Sequence, residues 1–277
     1  MGCDRAPAAR GGPLLLLHGS RQARYLALQT RDLRLPGLPP RMDGRRILHV
    51  SDVHLAPPFE LAGRITSLAG AAGPDWIFVT GDLIRGGAVP REAPRFLAEL
   101  GAIAPTWFVS GNADYPKDKA PDFEAGAFAP ARCLANRAEP LANGDPPCWI
   151  VGVSDPFSGR DRLARAFEGV PKHAWVILLA HSPDIILKPL SRRARIIYSG
   201  HTHGGQVCLP RIGALYTRTR VSRRYASGVH DLGGTTLIVS RGAGTTRLPI
   251  RIFCPAELTL WRLAAEPSPG GVPGILR

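Results

Sequence analysis

Short apolar segments that end in a carboxylate or amide residue are the feature that most constrains the fold of this sequence. RRILHVSD ends at Asp52, DWIFVTGD at Asp82 and PTWFVSGN at Asn112. Continuous apolar runs of this length are typical of strands buried on both faces. The segments between them, 61–72 and 91–103, are predicted to be helices long enough to cross over a sheet. Alternating strands and helices indicate a layered α/β fold.

The second half of the sequence repeats this pattern with different spacing. CWIVGVSD, AWVILLAHS, ARIIYSGHTH, TTLIVSRG and ELTLWRL each predict a short buried strand. Near the start, rough alternation over residues 25–35 predicts an edge strand that the following prolines terminate. Residues 1–22 and 264–277 are rich in glycine and proline, and we expect a disordered N-terminal segment and a flexible C-terminal tail. A single domain is therefore expected over residues 23–263.

The charge of the chain is strongly positive. The sequence of 277 residues contains 35 lysines and arginines against 22 acidic residues, which gives a net charge of +13. A basic surface attracts nucleic acid, anionic lipid or phosphorylated small molecules, and charge alone does not separate these partners. The five cysteines are scattered and include no CxxC pair, which favours reduced thiols. The apolar run at 14–17 is too short for a signal core or a membrane span, so we expect a cytoplasmic protein.

Seven side chains that commonly bind metals follow the predicted strands. They are Asp52, His54, Asp82, Asn112, His181, His201 and His203. In a layered α/β sheet, ligands bind outside the carboxyl ends of the strands, so these groups should converge on one crevice. A mixed set of carboxylates, imidazoles and one amide oxygen suits manganese, with iron or zinc as alternatives, better than magnesium or a thiolate-binding metal.

The spacing of these side chains supports the same hypothesis. Residues two apart in an extended segment point to one side, so Asp52 and His54 can reach one ion together. Seven ligands exceed what one ion needs, whereas two ions about 3.5–4 Å apart with Asp82 between them form the usual clamp for in-line attack on phosphorus. A single Asp-x-His pair is common by chance, and a glycine-aspartate pair is often a plain turn. The co-occurrence of all seven after buried strands is what indicates a metal site.

Five sequence blocks carry a resemblance to a known family. SDVHL, TGDL, SGNADY, LLAHSP and SGHTHGGQ resemble the signature of calcineurin-like metallophosphoesterases, and the resemblance covers roughly residues 45–263. It implies a layered β-sandwich flanked by helices, with the metal site at the carboxyl ends of the strands. It also implies a hydrolase with two divalent metal ions.

The resemblance assigns a role to each candidate ligand. One ion is implied to be held by Asp52, His54 and His203. The other is implied to be held by Asn112, His181 and His201, with Asp82 bridging the two. Of these residues, Asp82, Asn112 and His203 are also the ones that we expect to take part in catalysis.

The third block departs from the family pattern at one position. The family usually has a histidine after the asparagine, which stabilises the transition state or protonates the leaving oxygen, and this chain has Ala113 there. Asp114, which orients that histidine in the family, is expected to lack its partner. Losing such a group should cost about 100-fold to 10,000-fold, least for good leaving groups. We expect arginines to supply charge instead and to bind substrate, and the candidates are Arg85, Arg241 and Arg247.

The residues that flank the last sequence blocks indicate one branch of the family. GHTHGGQVCLPRIGALYTRTR and SRGAGTTRLPIRIFCPAELTLWRL resemble a bacterial membrane-associated branch that includes UDP-2,3-diacylglucosamine pyrophosphatases of lipid A synthesis. This implies a lipid-linked substrate, split into UMP and lipid X, and a cytoplasmic enzyme peripheral on the inner membrane. The arginines at 211–224 form either a solvated loop or a surface that docks on anionic lipid.

Three other functions stay open at this point. The first is a general phosphodiesterase that acts on a cell-envelope or nucleotide substrate. The second is a catalytically silent metal-binding scaffold, which Ala113 makes conceivable. Nucleic-acid binding is the least favoured, because no aromatic-rich binding motif accompanies the positive charge. The sequence does not indicate an oligomeric state.

Overall fold

Two six-stranded sheets stacked face to face form the framework of the protein. The computed structural model describes residues 19–23, 25–85, 92–115 and 128–266. The strands of the first sheet, in spatial order, are β1 (Leu26–Leu35), β14 (Ala256–Ala265), β2 (Arg46–Val50), β3 (Trp76–Thr80), β4 (Thr106–Val109) and β5 (Arg132–Cys133). The strand at 25–35 therefore lies at a sheet edge, as its alternating pattern predicted.

The second sheet has the same number of strands. In spatial order they are β12 (Gly228–Asp231), β13 (Thr236–Val239), β9 (Ile196–Ser199), β8 (Trp175–Ala180), β7 (Cys148–Val153) and β6 (Arg137–Ala142). A short hairpin of β10 (Cys208–Leu209) and β11 (Gly213–Ala214) stands outside both sheets. The five apolar segments that predicted strands in the second half of the sequence thus all form them.

Apolar side chains fill both the space between the sheets and the space beneath the helices. Between the sheets, Phe78 makes edge-to-face contacts with Trp107 and Tyr198, at ring centroid distances of 6.1 and 5.5 Å. Burying each such ring stabilises the fold by about 1.5–3 kcal/mol. Helices α1 (Glu60–Ala72) and α2 (Glu92–Ile103) place their apolar faces on the outer side of the first sheet. The short helix α3 (Leu163–Ala166) belongs to the apolar cluster outside the second sheet.

Parallel pairing brings the ends of the central strands to one edge. In the first sheet β2 pairs with β3 and β3 with β4 in parallel, and in the second sheet β8 pairs in parallel with both β7 and β9. The carboxyl ends of parallel strands meet at the same edge, where α/β proteins bind their ligands. The expected α/β fold, a layered β-sandwich flanked by helices, is confirmed.

The predicted domain boundaries fall partly outside the described residues. Residues 1–18 and 267–277 lie outside, but residues 19–23 are helical, and the carbonyl of Gly19 accepts a hydrogen bond from the Arg251 backbone at 3.0 Å. Strand β14 also continues past residue 263, because its parallel register with β1 extends to the pair Leu35 and Ala265. Among the described residues, no helix has both the length and the apolar character that crossing a membrane requires.

Candidate metal centre

The predicted ligands lie on the loops that leave five of the central strands. Asp52 and His54 follow β2, Asp82 follows β3, and His181 follows β8. Backbone hydrogen bonds join the first two loops, from Asp52 N to the Gly81 carbonyl at 3.0 Å and from His54 N to the Asp82 carbonyl at 2.9 Å. The loops therefore continue the pairing of the strands beyond the sheet and hold the side chains in register.

Five of the predicted ligands have a left-handed backbone conformation. The φ angles are +52° for Asp52, +48° for His54, +51° for Asp82, +69° for His201 and +51° for His203. Each such conformation costs about 1–2 kcal/mol in a residue other than glycine. Strain of this kind persists only where the surrounding structure enforces it, and it clusters at functional sites.

Four of the side chains form a compact buried group. The Nε2 atoms of His54 and His203 are 3.1 Å apart, and His203 Nε2 lies 3.4 Å from Asp52 Oδ1. His54 Nε2 lies 3.5 Å from Asp82 Oδ2. One ligand atom from each of these four residues lies within 4.8 Å of the others, so one divalent cation can contact all of them.

His181 approaches the other oxygen of Asp82, and His201 in turn contacts His181. His181 Nε2 lies 3.3 Å from Asp82 Oδ1, and His201 Nδ1 lies 3.2 Å from His181 Nε2. Asp82 thus presents one oxygen to His54 and the other to His181. This is the arrangement that a carboxylate needs in order to bridge two ions.

Glycines make this close approach of the loops sterically feasible. A Cβ atom on Gly111 would overlap Asp82 Oδ1, and one on Gly200 would overlap Asp52 Oδ2. Both residues precede a predicted ligand in the chain. A glycine is required at each position because atoms of a neighbouring loop already occupy the space that a side chain would need.

Asn112 joins the site through an amide oxygen that lacks a partner. Its Oδ1 atom is buried and forms no hydrogen bond with any described residue. The next backbone N–H, that of Ala113, donates to Asp82 Oδ1 at 2.7 Å, so the turn itself lies against the carboxylate of Asp82. A buried carbonyl without a donor is costly unless something occupies the site. Oxygen and imidazole nitrogen atoms directed at one another are a donor set that fits divalent cations.

The protonation states of Asp82 and His203 also suit cation binding. Burial disfavours charge at Asp82, yet attraction to His181 and His54 holds the pKa of its carboxyl well below the ordinary value and raises that of His181. Burial lowers the pKa of His203 to about 3. Ionised carboxylates and neutral imidazoles are the forms that bind metals, so Asp82 and His203 are already in the binding form, whereas a cation must displace a proton from His181.

Backbone carbonyls fix the orientation of two imidazoles. The Thr80 carbonyl is 2.6 Å from His181 Nδ1, and the Arg218 carbonyl is 2.7 Å from His201 Nε2. A carbonyl accepts the ring N–H and leaves the other nitrogen free to face a cation. Sequence reasoning missed both contacts, because a carbonyl partner carries no signal of residue identity.

Arg251 is a fully buried residue that sequence reasoning also missed. Its guanidinium donates to the carbonyls of Arg241, Gly242 and Gly244 at 2.7, 3.0 and 2.6 Å, and to the His203 carbonyl at 3.3 Å. It therefore ties the loop of His203 to the loop that follows β13. A lone arginine between two isoleucines was the signal available in the sequence.

Asp114 has hydrogen-bond partners other than the family histidine, which is absent from this chain. Its Oδ2 atom accepts the Gly111 N–H at 2.8 Å, and its Oδ1 atom accepts the Ile84 N–H at 3.0 Å. Burial and the neighbouring Asp82 raise the pKa of Asp114 to about 7. Asp114 therefore holds the turn that carries Asn112, irrespective of the residue at position 113.

The three arginines proposed for substrate binding lie in different surroundings. Arg241 is paired with Glu257 at 2.7 Å, so its charge is already balanced. Arg85 is exposed and donates to the carbonyl of Arg247 at 2.9 Å. Of the three, Arg247 lines the cavity beside the metal site, together with Arg218, which the sequence had assigned to the basic loop.

The cavity beside the histidines has a mainly apolar wall. It has a volume of about 290 Å³, and it is bordered by His201 and His203 on one side. The remainder of its wall includes Leu215, Tyr216 and Leu248, which are all exposed to solvent. A molecule held there can place a phosphate at the histidines and an apolar group against these side chains.

Comparisons with known proteins agree with this site. Residues 45–205, more than half of the chain, match the calcineurin-like phosphoesterase family. The metallophosphoesterase YkuE of Bacillus subtilis is 29% identical over 270 residues, covering 92% of this chain and 93% of that protein. The phosphodiesterase YaeI of Escherichia coli is 26% identical, covering 79% and 82% of the two chains. A transmembrane protein with a metallophosphoesterase domain from Bos taurus is 28% identical, covering 87% of this chain and 58% of that protein.

Among solved structures, the protein TT1561 of Thermus thermophilus has a similar fold. The TM-score is 0.50 at 16% sequence identity, and the match covers 72% of this chain and 90% of that one. At this level of identity the likeness concerns the fold alone.

Proposed function

The chain belongs to the calcineurin-like phosphoesterase family, and we propose on that premise that it hydrolyses a phosphodiester or phosphoanhydride with two divalent cations. The observation that carries the proposal is the position of Asp82, whose two oxygens face His54 and His181 at 3.5 and 3.3 Å. A carboxylate shared in this way belongs to a dinuclear centre rather than to a single ion.

We assign the ligands to two cations. Asp52, His54 and His203 would hold one, and Asn112, His181 and His201 would hold the other, with Asp82 shared. When bound, such ions supply Lewis acidity toward a phosphoryl oxygen and make water more acidic. Manganese suits the mixed oxygen and nitrogen donors best, with iron or zinc next.

The chain contributes binding charge beside these ligands. Arg247 and Arg218 line the cavity at the histidines, and neither forms an ion pair within the described part of the chain. Their guanidinium groups can therefore neutralise the phosphate oxygens of a substrate. Asn112 and His203, which we expect to act in catalysis, would help to orient the reacting phosphate.

Ala113 restricts the substrates that can react well. A methyl group cannot donate a proton to a leaving oxygen, so substrates whose leaving group is already acidic are favoured. A nucleoside monophosphate or an aryl oxygen satisfies this condition, whereas a simple alkoxide does not. This favours phosphoanhydrides and activated phosphodiesters.

The apolar wall of the cavity supports a lipid-linked substrate. Leu215, Tyr216 and Leu248 offer contacts to an acyl chain next to the metal ligands. Our first candidate is UDP-2,3-diacylglucosamine, cleaved to UMP and lipid X. The basic segment 211–224 would then lie on an anionic membrane surface at the inner membrane, with Ile212 exposed by 67%.

A general phosphodiesterase is the second candidate. The similarity to the phosphodiesterase YaeI supports it, and it needs the same cations and the same arginines. A catalytically silent scaffold with the same ligands is the third, and the missing histidine at position 113 is what supports it.

One set of assays separates the three candidates. Metal content is measured first, and hydrolysis of bis(4-nitrophenyl) phosphate and UMP release from UDP-2,3-diacylglucosamine are then compared with Mn²⁺ present. We expect two ions per chain and faster turnover of the lipid substrate. Turnover of the nitrophenyl ester that equals or exceeds turnover of the lipid substrate favours the general phosphodiesterase. Two bound ions without turnover of either substrate favour the scaffold.

The Asp82→Ala variant tests the assignment of the bridge. We expect it to lose turnover and most of its bound metal, because both cations share this carboxylate. Asp231→Ala, which removes an exposed carboxylate from β12, is the matched control. Full activity of Asp82→Ala would refute the dinuclear assignment.

A further inference from the structure

A row of polar side chains crosses the apolar layer between the two sheets and ends at the metal site. His49 is 1% exposed, and Ser51 and Thr80 are fully buried. The neighbours of His49 in this layer are aromatic, and its ring meets that of Tyr198 edge to face at 5.0 Å. Polar groups in such surroundings destabilise a fold unless they are hydrogen-bonded.

Strand geometry places these three residues on one face. His49 and Ser51 are two apart at the end of β2, so both point between the sheets. The register pairs Val50 with Val79, which places Thr80 beside Ser51 on the neighbouring strand. The row is therefore a direct consequence of the strand sequences HVSD and FVTGD.

The shortest hydrogen bonds of the row run toward Asp52, although Ser51 Oγ also lies 3.3 Å from the Thr80 carbonyl. Ser51 Oγ donates to Asp52 Oδ2 at 2.6 Å, and Thr80 Oγ1 donates to Ser51 Oγ at 2.8 Å. Thr80 Oγ1 also lies 2.9 Å from His49 Nε2. Because the single hydroxyl hydrogen of Thr80 goes to Ser51, Thr80 accepts its other bond from an N–H on His49 Nε2.

We propose that His49, Thr80 and Ser51 position the carboxylate of Asp52 for cation binding. The row occupies Oδ2, while Oδ1 faces His203 Nε2 at 3.4 Å in the ligand group. The backbone N–H of His201 bonds to both oxygens, at 3.1 and 3.0 Å, and so does not choose between them. The hydrogen bond from Ser51 is the contact that distinguishes Oδ2 from Oδ1.

The inference rests on the cation site of the proposed function, but not on any substrate. Partners of metal-binding carboxylates tune affinity by about 10- to 100-fold when they are removed. The three residues do not contact a reacting group and are positioning residues. Their effect should therefore appear in metal affinity, separately from any effect on folding.

Thr80→Val tests the proposal, because it replaces a hydroxyl with a methyl group of similar size. The Thr80 carbonyl, which bonds to His181, is retained in the variant. Thr80→Ser keeps the hydroxyl and serves as the rescue. Thr106→Val is the matched control, because Thr106 is equally buried in β4 and, among the residues that the structure describes, its hydroxyl bonds only to the Ala104 carbonyl, at 2.9 Å.

Two measurements are made on each variant. Mn²⁺ dissociation constants come from titrations followed by the electron paramagnetic resonance of free Mn²⁺, and the free energy of unfolding of the metal-free protein comes from urea titration. We expect Thr80→Val to weaken one of the two Mn²⁺ sites by about 10-fold or more. Thr80→Ser should restore most of the affinity, and Thr106→Val should lose stability without losing affinity.

A second variant distinguishes a connected row from separate contributions. In a Ser51→Ala background, Thr80→Val should change Mn²⁺ affinity by less than about twofold, because the path to Asp52 is already broken. Equal Mn²⁺ affinity for Thr80→Val and the wild type overturns the proposal, as does an undiminished effect of Thr80→Val in the Ser51→Ala background. If Ser51→Ala fails to fold, the comparison of Thr80→Val with Thr80→Ser and Thr106→Val decides alone. None of these measurements needs turnover, so an error in the proposed substrate leaves the result unaffected.

Discussion

The replacement His49→Gln should make the metal-free protein less sensitive to acid. Burial between the sheets lowers the pKa of His49 from 6.5 to about 4. Below pH 6.5 His49 is therefore protonated in the unfolded chain but stays neutral in the folded chain. The free energy of unfolding consequently decreases as the pH falls toward 4. Glutamine keeps an N–H donor for Thr80 but does not titrate, and this loss should disappear.

The expected loss in the free energy of unfolding can be calculated from the pKa shift of His49. A pKa change from 6.5 to about 4 corresponds to about 3 kcal/mol when His49 is fully charged in the unfolded chain and neutral in the folded one. At pH 5 the linkage amounts to about 2 kcal/mol relative to pH 7. We expect the wild type to lose that much more stability than His49→Gln over this interval, whatever constant cost the substitution carries at pH 7.

Urea unfolding of both proteins at pH 7 and pH 5, in the presence of a chelator, measures this difference. Comparing the two pH-dependent losses cancels the contributions of the other titrating groups that the proteins share. His173→Gln controls for the removal of one imidazole, because that residue is exposed. A difference between wild type and His49→Gln below about 0.5 kcal/mol would show that His49 can become charged in the folded protein, which contradicts the buried neutral donor inferred here.

Three further outcomes are expected. Gly111→Ala should abolish metal binding in calorimetric titration, because the added Cβ would overlap the bridging carboxylate. Gly70→Ala is the control: this glycine lies on a helix with no atom near its Cβ position, and the change should raise the free energy of unfolding by about 0.5–1 kcal/mol in urea titration. Arg251→Met should destabilise the protein by about 3 kcal/mol or more in the same assay, because several buried carbonyls lose their donor. Ala113→His should raise kcat/KM for an alkyl phosphodiester by about 100-fold while changing that of a nitrophenyl ester much less; equal gains would argue against a missing acid.

The parts of the site that could be predicted from the sequence depend on local periodicity. A buried run that ends in Asp82 defines both the strand and the loop at its carboxyl end, and parallel pairing then brings such loops together. For this reason the structure groups Asp52, His54 and His203 with Asp82 although about 150 residues separate the first from the last. The glycines at 111 and 200 could be predicted too, because only glycine fits where two loops approach each other closely, and a glycine is visible in the sequence.

The parts that could not be predicted depend on contacts that do not require a particular residue type or a particular sequence spacing. The carbonyls of Thr80 and Arg218 orient His181 and His201, but any residue offers a carbonyl. The pairing of Arg241 with Glu257 joins positions whose proximity follows only from the path of the loop after β13. Charge counting therefore overstates the number of arginines available to a phosphate, and we propose Arg247 and Arg218, which line the cavity, for that role.

The turn at 111–114 shows why the loss of the family histidine need not dismantle the site. Asp114 is usually understood through the histidine that it orients, yet here it accepts two backbone N–H groups and closes the turn by itself. That turn presents the amide of Asn112 and directs the Ala113 N–H at the carboxylate of Asp82. The geometry for holding cations is thus separable from the group that protonates a leaving oxygen. A chain that keeps the first and lacks the second should bind metal normally and depend on the acidity of its leaving group.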